Sequence, residues 1–180
     1  EMCDSDWSSD VCSSDLNSNP PHKNEIDLSK ATKRLEMCQL IAENNNFIET
    51  LDYEINKDGI CYTIDTINYF KENIFKDKEI YFIIGGDSLK NIETWKSYKT
   101  LLKKITFTCI KRIGYLDKEF EKKVNSLKNN LDCKIEVVEM PYLDISSTMI
   151  RSRVKNNLSI KYMVDSNVLN YINENNLYKK

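Results

Sequence analysis

Apolar positions along this chain alternate between two rhythms. Leu28, Ala31, Leu35, Cys38 and Ala42 fall on one helical face, and Asp27 or Ser29 can cap that helix, which is predicted to run to about Asn44. Residues 47–55 read as a strand. A second helix is predicted over Thr63–Asn73, with Ile64, Ile67 and Phe70 or Ile74 as its stripe. Residues 80–84 (IYFII) are apolar without alternation. Such a strand is covered on both faces, which means a parallel sheet flanked by helices. A helix is predicted over 88–103, a strand over 105–110, a helix over 116–130 and a strand over 134–140. Ser146 or Ser147 caps a helix to about Asn156, and Asp165 precedes a last helix marked by Val168, Tyr171 and Ile172. Helices alternating with strands predict a Rossmann-like α/β fold, a parallel sheet wound on both faces.

Length and charge narrow the picture. At 180 residues the chain is the size of one domain. It can bury roughly 70% of its unfolded surface, so no disulfide or metal staple is required. With 26 basic and 28 acidic residues the net charge is −2, which gives no global field for nucleic acid or an anionic membrane. No apolar run is long enough to span a bilayer, and without a basic start followed by an apolar run a secretory signal is not expected. Six cysteines without a CxxC pair, and one histidine, argue against zinc and for a reduced, cytoplasmic setting. Residues 1–16 differ in character from the lysine- and isoleucine-rich remainder, repeat Ser-Ser-Asp and show no strand alternation. They read as an unrelated or disordered segment ahead of a domain over 17–180.

Ligands of such sheets bind beyond the carboxyl ends of the strands. Gly85-Gly86-Asp87 follows one strand; the glycines admit close backbone approach, and the carboxylate can accept from hydroxyls. A purely structural turn is the competing reading. Ser146, Ser147 and Thr148 crowd a helix start, where free N–H groups and the positive dipole end attract anions. Arg151, one turn on, can reach the same anion, and Arg153 adds charge nearby. The pattern favours a phosphate cradle over a plain cap. Neither GxGxxG nor GxxxxGK[ST] occurs. Asn19-Pro20-Pro21 holds His22 and Lys23 on a rigid extended backbone, where both can donate to phosphate or simply be solvated. Trp95, in Thr94-Trp95-Lys96, is either a core residue or a flat platform for an aromatic ring.

Taken in order, NPPHK (19–23), KRLEMC (33–38), YTIDT (62–66), FIIGGDSL (82–89), TWK (94–96), ISSTMIR (145–151) and the C-terminal pattern from Tyr162 to Tyr178 resemble bacterial nicotinate-nucleotide adenylyltransferases. The likeness runs from about Asn17 to Lys180. It implies that the phosphate of nicotinate mononucleotide attacks the α-phosphorus of ATP, giving nicotinate adenine dinucleotide and pyrophosphate, with Mg²⁺ as cofactor and no covalent enzyme intermediate. The implied partners are the two nucleotides; a homo-oligomer is compatible with the likeness. Ser146, Ser147, Thr148 and Arg151 would hold the ATP phosphates, and Gly85, Gly86 and Asp87 the nucleotide side of the cleft. His22 and Lys23 would face phosphate. Thr63 and Trp95 would contact the nicotinate ring, with backbone amides near Trp95 taking its carboxylate.

The sequence departs from the family in two places. Val164 is followed by Asp165-Ser166 where the family has a proline. More seriously, the family's HxGH histidines, which bind ATP phosphates, cannot be present in a sequence whose sole histidine is His22. The N-terminal strand-helix-strand portion of the pattern is therefore expected to be missing, no catalytic residue is assigned, and turnover is expected to be impaired. A related transferase with another phosphorylated acceptor, a non-catalytic nucleotide-binding module and an α/β protein without ligand are the competing readings.

Overall fold

A computed structural model describes residues 12–15, 31–57, 59–112, 118–141 and 143–179. In chain order these form β1 (Cys12–Asp15), α1 (Ala31–Ala42), β2 (Ile48–Leu51), α2 (Tyr53–Asn56), α3 (Thr63–Asn73), β3 (Tyr81–Gly85) and α4 (Gly86–Lys90). A 3-10 turn (Ile92–Thr94), α5 (Tyr98–Lys104), β4 (Thr106–Arg112), α6 (Lys118–Leu131), β5 (Ile135–Met140), α7 (Ser147–Lys155) and α8 (Ser166–Glu174) follow. Every pairing between these strands is parallel, as the α/β reading required. They lie in two sheets, β1-β2 and β3-β4-β5. The chain divides into two units, Glu1–Cys61 with Ile145–Lys180, and Tyr62–Asp144.

In the Tyr62–Asp144 unit, Ile83 stands opposite Thr108 and Cys109 opposite Val137 across the sheet. Side chains alternate between faces of a strand. Phe82, Ile84, Phe107, Cys109 and Ile135 share one core with Ile64 and Ile67 of α3, Leu89 of α4, Leu101 and Leu102 of α5, and Phe120, Val124 and Leu127 of α6. Burying each large side chain of this set contributes roughly 1.5–3 kcal/mol. The opposite face differs from expectation. Tyr81 is 51% and Ile83 57% exposed, so the apolar run is covered on one side among the described residues. The α3 bounds match the prediction, and Ile64, Ile67 and Phe70 are buried. Ile74 is not, because it has become the C-cap, where the stripe ends.

The helix expected over 88–103 is broken. The Asn91 side-chain amide donates to the Asp87 carbonyl at 3.1 Å, and the Thr94 hydroxyl to the Asn91 carbonyl at 2.8 Å. Such local side-chain bonds offer the backbone an alternative to the helical ladder. Ser97 then adopts φ 53 ψ 36, in the left-handed region, before α5 begins.

In the other unit, Val154 of α7, Val168 and Ile172 of α8, Ile160 and Leu177 form the core, with Met37 of α1 packed against it. Lys33 donates to Asn175 at 2.8 Å, and Tyr171 donates to the Glu36 carboxylate. Partial burial and that hydrogen bond push the Tyr171 phenol up to about 12. The strand expected over 47–55 is shorter: after Asp52, whose carbonyl accepts from Asn56 N at 3.0 Å, the chain turns into α2 and buries Glu54. Asp165 caps α8 by accepting from Asn167 N at 2.8 Å, so the absent proline is not needed. Within the segment read as unrelated or disordered, Cys12–Asp15 forms a strand paired with β2, Ser13 opposite Glu49 and Asp15 opposite Leu51. A parallel ladder is made of backbone groups, and so short a ladder can form without side-chain alternation.

Candidate functional site

Three segments carry the candidate chemistry. The first is the carboxyl end of β3. Gly85 is extended (φ −78 ψ 157), so its backbone does not itself demand glycine. A Cβ at Gly85 would meet nothing within 4 Å, while one at Gly86 would touch the Phe120 ring at 3.7 Å, an ordinary contact. What Gly85 contributes is bare backbone beside open space. Asp87 is exposed in the first turn of α4, free to accept from a ligand's hydroxyls.

The second segment joins the start of α3 to the turn at Trp95. The Trp95 ring meets the Phe82 ring edge-on, centroids 6.1 Å apart at 90°, and packs against the core while staying half-exposed. The core reading of Trp95 holds on one side of the ring, and the rest of the ring is exposed. Thr63 is half-buried at the first position of α3. Lys96 links the two stretches, its ammonium 3.1 Å from Asp65 Oδ2 and 4.3 Å from the Tyr62 ring centroid. Asp65 and Lys96 were not among the site residues expected from sequence. They are 31 positions apart, and no local pattern announces their pairing.

The third segment is the start of α7, in the other unit. Ser146 is extended (φ −129 ψ 153), and its hydroxyl accepts from Met149 N at 3.2 Å. It is the N-cap, so its oxygen is already engaged in holding the helix. Ser147 and Thr148 are exposed, and as the first helical residues their N–H groups have no acceptor within the helix. Arg151 donates to the Thr148 hydroxyl at 3.3 Å, which sets a guanidinium beside the same turn. Arg153 points elsewhere: its Nε donates to the Ser159 carbonyl at 2.8 Å. His22 and Lys23 lie outside the described residues. Gly85, Gly86, Asp87, Thr63 and Trp95 thus share one unit, and Ser146, Ser147, Thr148 and Arg151 the other. Among the described residues, no helix is long and apolar enough to cross a membrane.

The cytidylyltransferase-like family profile matches residues 14–153, and with the parallel α/β architecture this defines the class: a nucleotidyltransferase enzyme. A probable nicotinate-nucleotide adenylyltransferase of Clostridium novyi is 34% identical over 161 residues, covering 89% of this chain and 80% of the relative. Similarly named proteins of Moorella thermoacetica (36%, 89% of this chain and 74% of the relative) and Thermoanaerobacter sp. (38%, 90% and 77%) align as well. The chain belongs to the nicotinate-nucleotide adenylyltransferase family. Two structures of Plasmodium falciparum nicotinic acid mononucleotide adenylyltransferase share the fold. The complex with NaAD has a TM-score of 0.71 at 22% identity, covering 93% of this chain and 82% of that one. The complex with APC has a TM-score of 0.64 at 24% identity, covering 84% and 77%.

Proposed function

We propose that this protein transfers the adenylyl group of ATP to the phosphate of nicotinate mononucleotide, releasing pyrophosphate and forming nicotinate adenine dinucleotide. The observation that carries the reading is the start of α7, where Ser146 holds the turn closed and Ser147, Thr148 and Arg151 are left to face an anion. Helix N–H groups, two hydroxyls and a guanidinium form a donor set suited to phosphate oxygens. In the reaction a phosphate oxygen of the mononucleotide bonds to the α-phosphorus as the bond to the pyrophosphate oxygen breaks. Ser147, Thr148 and Arg151 would hold the phosphates and oppose the charge that shifts onto the leaving group. Gly85, Gly86 and Asp87 would line the nucleotide, and Trp95 with Thr63 would take the nicotinate ring.

No group of three His, Cys, Asp or Glu side chains that could hold a metal occurs among the described residues. Mg²⁺ arriving on the ATP phosphates needs few protein carboxylates, and Asp87 is the one at the glycine turn. When bound, the ion would draw charge from the phosphates.

The test is equilibrium binding of Mg-ATP and of nicotinate mononucleotide to the 180-residue chain. Both should bind, the mononucleotide better than phosphopantetheine. Ser147→Ala/Arg151→Ala should weaken ATP at least tenfold, as expected when charge-assisted hydrogen bonds worth ~1.5–3 kcal/mol are removed. Unchanged ATP affinity in the double variant, or no preference for the mononucleotide, refutes the reading.

A further inference from the structure

The turn that carries Trp95 is held from three directions. Its aromatic ring rests edge-on against Phe82. The next residue, Lys96, reaches across to α3, where its ammonium lies 3.1 and 3.5 Å from the two Asp65 carboxylate oxygens and over the Tyr62 ring. Ser97, the residue after that, sits at φ 53 in the left-handed region. A side-chain-bearing residue keeps that conformation where its surroundings over-determine it. Here the Ser97 carbonyl accepts from both Thr100 N and Leu101 N at 3.0 Å, and Leu101 is fully buried. The Lys96–Asp65 contact is thus the only one of the three holds made from the solvent side, and it joins the two stretches that carry Trp95 and Thr63.

We propose that Lys96 and Asp65 are positioning residues of the ring subsite. Their ion pair, backed by the Tyr62 ring, sets the spacing between the Trp95 turn and the start of α3, and with it the fit of a flat aromatic ring against Trp95 and Thr63. The inference rests on the adenylyltransferase reading above, which places the nicotinate ring there. Neither side chain needs to touch the ligand. An ammonium confined by a carboxylate and an aromatic face has few orientations left, so the backbone at Trp95 is held with it. The pair is partly solvated, Lys96 47% and Asp65 34% exposed at the side chain, so its effect is modest.

The test compares unaltered chain, Asp65→Asn, Lys96→Gln, the double variant and Lys96→Arg. Affinities for nicotinate mononucleotide and Mg-ATP are measured alongside Trp95 emission in a Trp7→Phe background. Each single change should raise the mononucleotide Kd about fivefold (~1 kcal/mol). The double variant should lose no more than either single, because the two residues act through one contact. Lys96→Arg should keep near-normal affinity, ATP affinity should hold in all of them, and the emission should shift in Asp65→Asn and Lys96→Gln. Mononucleotide affinity and emission both unchanged in those two variants would overturn the inference, as would equal weakening of both nucleotides. If the unaltered chain binds no nicotinate mononucleotide, the functional reading fails first. The emission then still decides whether the pair holds the Trp95 turn, and an unshifted spectrum overturns that too.

Discussion

Ser146→Ala separates holding the helix from holding the ligand at the start of α7. The Ser146 hydroxyl accepts from Met149 N at 3.2 Å, and Ser146 has the extended backbone of an N-cap. Removing such a cap costs ~1 kcal/mol, within a range of about 0.5–2, whereas glycine in its place costs a few tenths. Solvent reaches this turn, because Ser146, Ser147 and Thr148 are all exposed, so water replaces part of the lost bond and the cost belongs near the middle of that range or below. The rest of α7 stays anchored. Val154 is buried in its core and Arg153 ties the helix to the Ser159 carbonyl at 2.8 Å. Fraying is therefore confined to the first turn. For a chain of this size ~1 kcal/mol moves the thermal midpoint by roughly 2–4 °C. Differential scanning fluorimetry and ATP titration of Ser146→Ala, Ser146→Gly and Ser147→Ala give the comparison. Ser146→Ala should lower the midpoint and Ser146→Gly should lower it less. Ser147→Ala should leave the midpoint in place and weaken ATP. A midpoint for Ser146→Ala equal to that of the unaltered chain would refute the division of roles, as would a loss for Ser147→Ala as large as that for Ser146→Ala.

Two further outcomes follow from the cores. Phe107 is fully buried, with its ring 5.5 Å from that of Phe82; Phe107→Ala should cost ~3–5 kcal/mol in urea unfolding, and a loss near that of a surface change would contradict the packing described. Tyr171, raised to about 12 by partial burial and by its bond to Glu36, holds its proton in the folded state at pH values where the unfolded phenol, at its ordinary value near 10, has released it. Its contribution is complete below about pH 10 and is lost as pH rises toward 12; Tyr171→Phe should flatten that part of the stability profile, and an unchanged slope would show that the bond carries no stability.

The parts of the fold that are legible in the sequence are those encoded locally. Thr63–Asn73 is helical as its stripe predicts, and Ile64, Ile67 and Phe70 are the residues it buries. The start of α7 and the Asp165 cap of α8 are likewise local matters of a hydroxyl or carboxylate within three residues of an N–H. The break in the helix after β3 is written in its spacing: Leu89 and Ile92 fall on one face of a continuous helix and Leu101 and Leu102 on others, yet all four are buried in one core. The break lies in Asn91, Thr94 and Ser97, whose side chains and backbone compete with the ladder. The uncovered face of β3 is a separate case. A lack of alternation reports residue type, and Tyr81 and Ile83 are apolar yet stand in solvent.

The same distinction separates the candidate segments of the two units. The proposed phosphate segment lies within six consecutive residues at one helix start, where the structure makes Ser146, one of the two cap candidates, the cap and ties Arg153 to the Ser159 carbonyl. The proposed ring segment depends on contacts between residues distant in sequence, Trp95 with Phe82 and Lys96 with Asp65. A substitution at the phosphate end removes a donor and leaves the scaffold standing. At the ring end a substitution acts through placement, since Trp95 is held by the core on one side and by an ion pair on the other. On the proposed reading, selectivity for a flat ring is the property more exposed to changes elsewhere in the Tyr62–Asp144 unit, while the proposed grip on phosphate would belong to one turn of helix.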